Sequence, residues 1–188
     1  MIFTFDQYLD YKYINKHNLS IIPKNSKKFK EYKKNLRANN ENVIKMKSKI
    51  VKKFANNINE KFIHNVCSDK SNKFLFNSMN YTLHDNEITS IILYRKIFNK
   101  TNKIRIVIFI IAVKTELRNN GYGSLTLDEF INYICKKKPL EIILHSLKTS
   151  LHFYLNYGFK QIESNKFIEN YEGIQTEQDH IILKYTLS

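Results

Sequence analysis

The chain has 188 residues, 43% of them hydrophobic, and a formal net charge of +14. This length and apolar content predict one folded domain and exclude a wholly disordered chain. No run approaches 18 apolar residues, and the N-terminus lacks the basic start of a signal peptide, so we expect a cytoplasmic protein without a membrane span. The two cysteines do not form a C-x-x-C pair and predict neither disulfides nor a metal site.

The first third of the chain is predicted to be helical. Apolar residues recur at helical spacing over residues 26–37 and again over 43–62, with the break between the two helices at 39–42. Near the start of the chain, residues 2–5 could add a short strand to a sheet formed further on.

The positive charge is concentrated in these predicted helices. Residues 12–53 hold 14 Lys and Arg against two acidic residues, whereas residues 54–188 hold 17 against 13. A/T-rich codon usage would raise the lysine content of the whole chain, so it does not explain this difference. The basic N-terminal part, about residues 1–70, is therefore suited to an anionic partner.

Three strands are predicted next, because the apolar period changes after about residue 70. The strands cover residues 73–83, 88–98 and 104–113, with turns at 84–87 and 99–102. The third strand is apolar at almost every position, which is typical of a strand buried on both faces.

Helices and strands alternate in the rest of the chain. A helix begins at Gly121-Tyr122-Gly123 and reaches Cys135, a strand covers Glu141–Leu147, and a short helix covers 148–156 before Gly158. The last two strands are predicted at 159–163 and 180–187. This order predicts a mixed α/β single domain over residues 1–188, with its core at about 71–188.

The loop before the helix at Gly121 has a distinctive composition. A buried strand ends at Val113, the loop contains Arg118-x-x-Gly121-x-Gly123, and the helix begins at once. A helix N-terminus leaves backbone N–H groups unpaired, glycines let the backbone approach an anion closely, and arginine adds a charged donor fork. The combination predicts a binding site for a pyrophosphate group. It is neither a dinucleotide fingerprint, because position 126 is Thr, nor a Walker A loop, because no Gly-Lys-Ser/Thr exists.

A second motif, Phe153-Tyr154 with Gly158-Phe159, follows some thirty residues later. Together with Val113 and the 118–123 loop, it resembles the GCN5-related N-acetyltransferase (GNAT) superfamily. The resemblance implies a mixed, mostly antiparallel sheet flanked by helices, with a V-shaped opening between the strands at 104–113 and 141–147. It also implies acetyl-CoA as cosubstrate and direct transfer of the acetyl group to a primary amine in a ternary complex. The acceptor stays open between an anionic small molecule or amino sugar and a protein.

The resemblance assigns cofactor binding to the strand end and the loop. The pantetheine arm would pair with the strand backbone near Val113, and the pyrophosphate group would bind the loop at 118–124. The implied cofactor-binding residues are Ala112, Val113, Arg118, Asn119, Asn120, Gly121, Tyr122, Gly123, Ser124 and Tyr154.

The catalytic candidates are Tyr154, His145 and Glu116. The resemblance implies that Tyr154 protonates or hydrogen-bonds the departing thiolate. The attacking amine must be neutral, so a base has to take its proton, and His145, Glu116 or a water molecule are the alternatives. The backbone N–H near Val113 is the candidate donor to the oxyanion.

Two other functions stay open. Lysines in residues 12–53 alternate with Tyr13, Phe29 and Tyr32, so this region could bind a nucleic acid or another polyanion without catalysis. A domain of this kind could also bind CoA and lack activity. Either a monomer or a homodimer is compatible with the sequence.

Overall fold

The computed structural model describes residues 2–16, 25–38, 40–69, 72–77, 88–98, 104–136, 139, 141–162 and 180–187. Its helices are α1 (Phe5–Lys16), α2 (Lys27–Ala38), α3 (Asn40–Phe54), α4 (Glu60–Ser68), α5 (Tyr122–Cys135) and α6 (Leu151–Asn156). Its strands are β1 (Ile2–Thr4), β2 (Asn72–Asn77), β3 (Ser90–Phe98), β4 (Ile104–Val113), β5 (Glu141–Leu147), β6 (Lys160–Gln161) and β7 (His180–Thr186). Single 3-10 turns at Thr115–Leu117 and Lys148–Ser150 follow β4 and β5.

The described strands form one seven-stranded sheet in the order β1-β2-β3-β4-β5-β7-β6. Neighbouring strands are antiparallel except β4 and β5, which are parallel. The predicted mixed, mostly antiparallel α/β fold is therefore confirmed, as is the three-strand meander, formed by β2, β3 and β4.

The two central strands separate part of the way along their length. β4 pairs with β5 only from Arg105 to Ile108, opposite Glu141 to Leu144, although both strands continue beyond these residues. The separation coincides with a bulge: Leu93 on β3 pairs with Ile110 and Tyr94 pairs with Ile108, so Phe109 has no partner on β3. A bulge bends its strand. The predicted V-shaped opening thus begins immediately after Ile108.

The helices cover both faces of the sheet. On one face, α1, α3 and α4 pack on β2, β3 and β4 in a core that includes Val51, Ile63 and Leu93. On the other face, α5 packs on the middle of the sheet in a core that includes Leu127, Phe130 and Ile142, and the aromatic side chains of α6 lie against this core. α3 and α5 therefore lie on opposite faces of the sheet.

The predicted helix over 43–62 is wrong, because the structure has two helices there. α3 ends at Phe54, and α4 begins only at Glu60. The Asn59 side chain accepts hydrogen bonds from the N–H groups of Lys61 and Phe62, at 2.8 and 3.3 Å. An N-cap of this kind starts a new helix.

α1 is a helix that the apolar pattern of the sequence did not predict. The helix is preceded by reciprocal hydrogen bonds: the Thr4 N–H donates to Gln7 Oε1 (2.7 Å), and the Gln7 N–H donates to Thr4 Oγ1 (3.3 Å). This is a capping box. The strand suggested near residues 2–5 is present as β1, which pairs with β2 at the edge of the sheet.

Some predicted elements extend outside the described residues. The predicted strand at 73–83 is described only to Asn77, and the turns at 84–87 and 99–102 fall outside the described ranges. The predicted strand at 159–163 is represented by β6, and β7 ends one residue before the predicted 187. In the ranges that the structure does describe, no helix has the length and apolar character needed to cross a bilayer.

Candidate active site

The end of β4 directs backbone groups that β5 does not pair to the opening. The Lys114 N–H donates to Thr89 O (2.9 Å), directly across the ladder between β3 and β4. Because hydrogen-bonded pairs alternate along an antiparallel ladder, the N–H and C=O of Val113 and of Ile111 point away from β3. They point to the side where β5 has separated. Ala112, in contrast, has its backbone directed to Ile91 and its side chain in the core beside α3.

The loop after β4 has the backbone shape of an anion-binding turn. Asn119 (φ 62°) and Gly121 (φ 79°) both have positive φ, and Gly121 is the residue before α5. The first intrahelical acceptor is Gly121 O, which receives the Leu125 N–H at 3.1 Å. The preceding N–H groups at the start of α5 have no intrahelical acceptor and carry partial positive charge.

The space in front of this loop is open. No heavy atom lies within 4 Å of the position that a β-carbon on Gly121 would occupy. A phosphate-bearing group fits this geometry, because the start of α5 offers backbone N–H donors without intrahelical acceptors and the space beside Gly121 is open. The predicted residues 118–124 are thus brought together as one exposed or half-buried turn.

The Arg118 side chain is directed to main-chain carbonyls. Its Nε donates to Val113 O at 3.2 Å, and its Nη2 donates to Phe54 O at 3.0 Å. The Asn120 side-chain amide donates to Arg118 O at 3.1 Å. The arginine fork therefore connects the loop with the end of β4 and with the end of α3.

A buried polar cluster joins the first turn of α5 to the sheet. Thr126 Oγ1 donates to Tyr122 O at 2.6 Å, lies 2.8 Å from Ser90 Oγ, and accepts from Asn77 Nδ2 at 3.3 Å. All three side chains are buried. Thr126, which excluded the dinucleotide fingerprint, thus fixes the start of this helix to β2 and β3.

The second motif lies directly beside the loop. A β-carbon on Gly123 would lie 3.3 Å from Cζ of Phe153, so α6 closely approaches the first turn of α5. The Tyr157 hydroxyl donates a short hydrogen bond to the Asp128 carboxylate, which also joins these helices. The two stretches that carried the family resemblance are therefore in contact.

Tyr154 lies in the aromatic group that α6 packs against the sheet. Its ring centroid is 5.0 Å from that of Phe153 and 5.7 Å from that of Phe159. Burial raises the pKa of the Tyr154 hydroxyl to about 12. The hydroxyl therefore stays protonated at neutral pH and can donate a hydrogen bond.

The two base candidates occupy different surroundings. His145 is the first β5 residue beyond the last pair with β4, and its side chain is half-buried. Because side chains alternate along a strand and Leu144 packs on the α5 side, His145 projects to the side of α3 and α4, opposite Tyr154. Glu116 is two-thirds exposed, and its Oε1 lies 3.7 Å from Lys114 Nζ.

No metal cluster accompanies these residues. Within the part of the chain that the structure describes, no three His, Cys, Asp or Glu side chains converge as metal ligands. The sequence reading did not single out Ile111, although its backbone faces the opening. Its position two residues before Val113, the spacing at which strand residues repeat their orientation, could have indicated it.

This arrangement agrees with comparisons to known proteins. Residues 30–175 match the family model described as the acetyltransferase (GNAT) domain. Because this match spans well over half of the chain, the protein belongs to the GNAT acetyltransferase family. The resemblance of the two motifs predicted this family of acetyltransferases, and the prediction is confirmed. β1 and α1 precede the matched region, and no curated protein matches the chain in sequence.

Solved structures share the fold at low sequence identity. GCN5 of Tetrahymena is 11% identical with a TM-score of 0.57, over 79% of this chain and 86% of that one. A GNAT family acetyltransferase of Elizabethkingia anophelis with acetyl-CoA bound is 21% identical with a TM-score of 0.50, over 69% and 84%. A chain of the NatC complex bound to Gag peptide and CoA is 16% identical with a TM-score of 0.51, over 74% and 89%. At these identities, the likeness shows the fold alone.

Proposed function

We propose that this protein is an N-acetyltransferase that moves the acetyl group of acetyl-CoA directly to a primary amine in a ternary complex. One observation carries the proposal. The Ile111 backbone and the Val113 N–H, which β5 does not pair, are followed along the chain by the positive-φ loop and the N-terminus of α5. An extended amide chain that ends in a pyrophosphate group matches this sequence of donors and acceptors.

Acetyl-CoA supplies the acetyl group as a thioester. In the proposed site, the loop N–H groups from Asn119 to Ser124 hold its pyrophosphate group, and the Val113 N–H donates to the carbonyl oxygen of the acetyl group. The Tyr154 hydroxyl donates a hydrogen bond to the thioester sulfur. Since burial raises the pKa of Tyr154 to about 12, the hydroxyl keeps its proton until negative charge develops on the sulfur.

The amine has to lose a proton before it attacks. We propose that His145 accepts this proton, because the histidine borders the opening on the side opposite Tyr154 and imidazole has a suitable intrinsic pKa. Glu116 is the weaker alternative, because its carboxylate is exposed and close to the Lys114 ammonium. Base and acid would then act from opposite faces of the sheet, so the amine and the departing thiolate need not compete for one side chain.

A basic helical surface supports an anionic acceptor. Two rows of lysines follow helical spacing and are exposed: Lys27, Lys30 and Lys34 on α2, and Lys45, Lys49 and Lys53 on α3. α3 packs on the same face of the sheet to which His145 projects. An amino-sugar phosphate, a nucleotide sugar or another amine that carries phosphate would be drawn to this side.

Two measurements test the proposed reaction. Calorimetry with acetyl-CoA tests the cofactor site, and release of free thiol with a panel of amines tests the transfer. His145→Ala should lower kcat more than tenfold, whereas His64→Ala, at an exposed histidine of α4, should change it less than about twofold. If purified, folded protein does not bind acetyl-CoA, the proposal is wrong.

Salt dependence tests the class of acceptor. An anionic acceptor guided by the lysine rows should lose kcat/KM steeply as salt rises, whereas a neutral amine should not. A clear preference for lysine-rich peptides would exclude an anionic acceptor. The same surface favours the second candidate, a binding protein for nucleic acid or another polyanion, which a gel shift at moderate salt would detect.

A further inference from the structure

Arg118 occupies the first position of the loop motif, but its guanidinium donates to the carbonyls of Val113 and Phe54. We propose that Arg118 is a positioning residue that fixes the loop and the end of β4 to α3, and that it does not bind the pyrophosphate group itself. This inference rests on the proposed acetyl-CoA site, and it concerns how that site keeps its shape.

The hydrogen bonds of the guanidinium support this role. Phe54, whose carbonyl accepts from Nη2 at 3.0 Å, is the last residue of α3. The final carbonyls of a helix lack intrahelical donors and carry partial negative charge, so a cation there is favoured. Nε at the same time holds Val113 O at 3.2 Å, on the strand end that faces the opening.

The direction of the side chain separates it from the anion site. α3 covers one face of the sheet, whereas α5, whose first N–H groups form the proposed anion site, covers the other. The guanidinium extends from the loop to the α3 face. The loop backbone and the α5 N-terminus remain as the donors for the pyrophosphate group.

This role explains why the position holds arginine in a chain with 27 lysines and four arginines. A planar fork can donate to two carbonyls in fixed directions at once, whereas an ammonium on a flexible stem cannot do so with the same geometry. We therefore expect Arg118→Lys to behave more like Arg118→Gln than like the wild type.

Hydrogen exchange of the protein without ligand tests the connection itself. In Arg118→Gln, exchange should become faster in two separate segments, around residues 51–58 and around 114–121. The control is Lys52→Gln, since Lys52 Nζ donates to Ile58 O at 3.1 Å near the same helix end and lies 3.5 Å from Glu60 Oε1 at the start of α4. This control should affect the first segment only. Unchanged exchange at 114–121 in Arg118→Gln would overturn the proposal.

CoA binding then distinguishes positioning from direct contact. In Arg118→Gln the Kd for CoA should rise about tenfold, while its dependence on salt stays as steep as in the wild type, because no ionic contact with the ligand is lost. Lys52→Gln should leave the Kd unchanged even if it lowers the melting temperature equally. A shallower salt dependence in Arg118→Gln would identify Arg118 as a ligand of the phosphates. If the wild type binds no CoA, the proposed function fails, and the exchange experiment still tests the connection.

Discussion

Gly123 and Phe153 are in such close contact that the glycine has no room for a β-carbon without movement of the ring. The added atom would lie 3.3 Å from Cζ and 3.5 Å from Cε2 of Phe153. The contact joins the first turn of α5 to α6, and thus the proposed anion site to the helix that carries Tyr154. The spacing of the two motifs in the sequence, some thirty residues, gives no hint of this contact.

Gly123→Ala should therefore lower the free energy of unfolding. Alanine gains about 1 kcal/mol of helix propensity over glycine, whereas overpacking costs about 1–3 kcal/mol. In a Phe153→Leu background, where the ring is absent, the same change should become stabilising. Urea unfolding of the four proteins measures this reversal of sign. A destabilisation of equal size in both backgrounds would show that the ring is not the cause.

Gly121→Asp should abolish tight binding of acetyl-CoA. The position has φ 79° and open space around it, so asparagine should be tolerated, whereas aspartate adds a negative charge where phosphate is expected. We expect the Kd to rise more than about tenfold for Asp and less than about threefold for Asn, because two like charges about 4 Å apart near a protein surface repel by about 4 kcal/mol and about 1.4 kcal/mol is a tenfold change. Calorimetry measures both. Equal affinities of the two variants would place the pyrophosphate group elsewhere.

Tyr154→Phe should lower kcat by about 100-fold, the lower range for loss of a general acid, with little change in the affinity for acetyl-CoA. Since burial raises the pKa of Tyr154 to about 12, its ionisation should not reduce activity below about pH 11. The raised pKa also predicts how the stability of the protein changes with pH. The contribution of this hydroxyl is full below pH 10, the ordinary tyrosine value, and is lost between about pH 10 and 12. Over that interval the free energy of unfolding of the wild type should fall relative to that of Tyr154→Phe, because the ionised hydroxyl is costly to bury.

Thr126→Val should destabilise the start of α5. The change keeps the shape of the side chain but removes the hydroxyl that serves Tyr122 O, Ser90 Oγ and Asn77 Nδ2. Leaving buried polar groups without partners costs about 1–3 kcal/mol. Adding Ser90→Ala should recover part of this loss, because one stranded hydroxyl is removed. Chemical unfolding of the single and double variants measures the free energies of unfolding. If the two substitutions lowered this free energy by the full sum of their separate effects, the proposed role of the cluster would be contradicted.

The elements with strong local signals could be predicted. The apolar run of β4 and the Arg-x-x-Gly-x-Gly loop at the start of α5 identified the fold and the region of the site. α1 could have been found as well, because Thr4 and Gln7 have the spacing of a capping box. The other helices were predicted from apolar periodicity, which the residues after Gln7 do not display clearly.

Other features depend on relationships that a local pattern does not contain. The helical period continues through Ile58 and Phe62, so it concealed the break that Asn59 imposes by capping α4. Every residue around Phe109 is apolar, so a bulge there leaves no trace in the alternation. The hydrogen bond of Arg118 with Phe54 joins residues 64 positions apart. The sequence therefore indicated that an arginine at this position suits an anion, but it did not indicate which carbonyl groups the guanidinium binds.

The early separation of β4 from β5 also bears on how this sheet avoids aggregation. Unpaired strand backbone can pair with strands of other chains, and proteins normally limit this pairing at the outer edges of their sheets. Here the outer strands β1 and β6 are only three and two residues long. On its β5 side, β4 has no strand partner from Phe109 to Val113, and this stretch lies in the interior of the sheet between two strands of the same molecule. A strand of another chain would have to insert between β4 and β5 to pair there, so the longer unpaired stretch is kept away from the outer edges of the sheet.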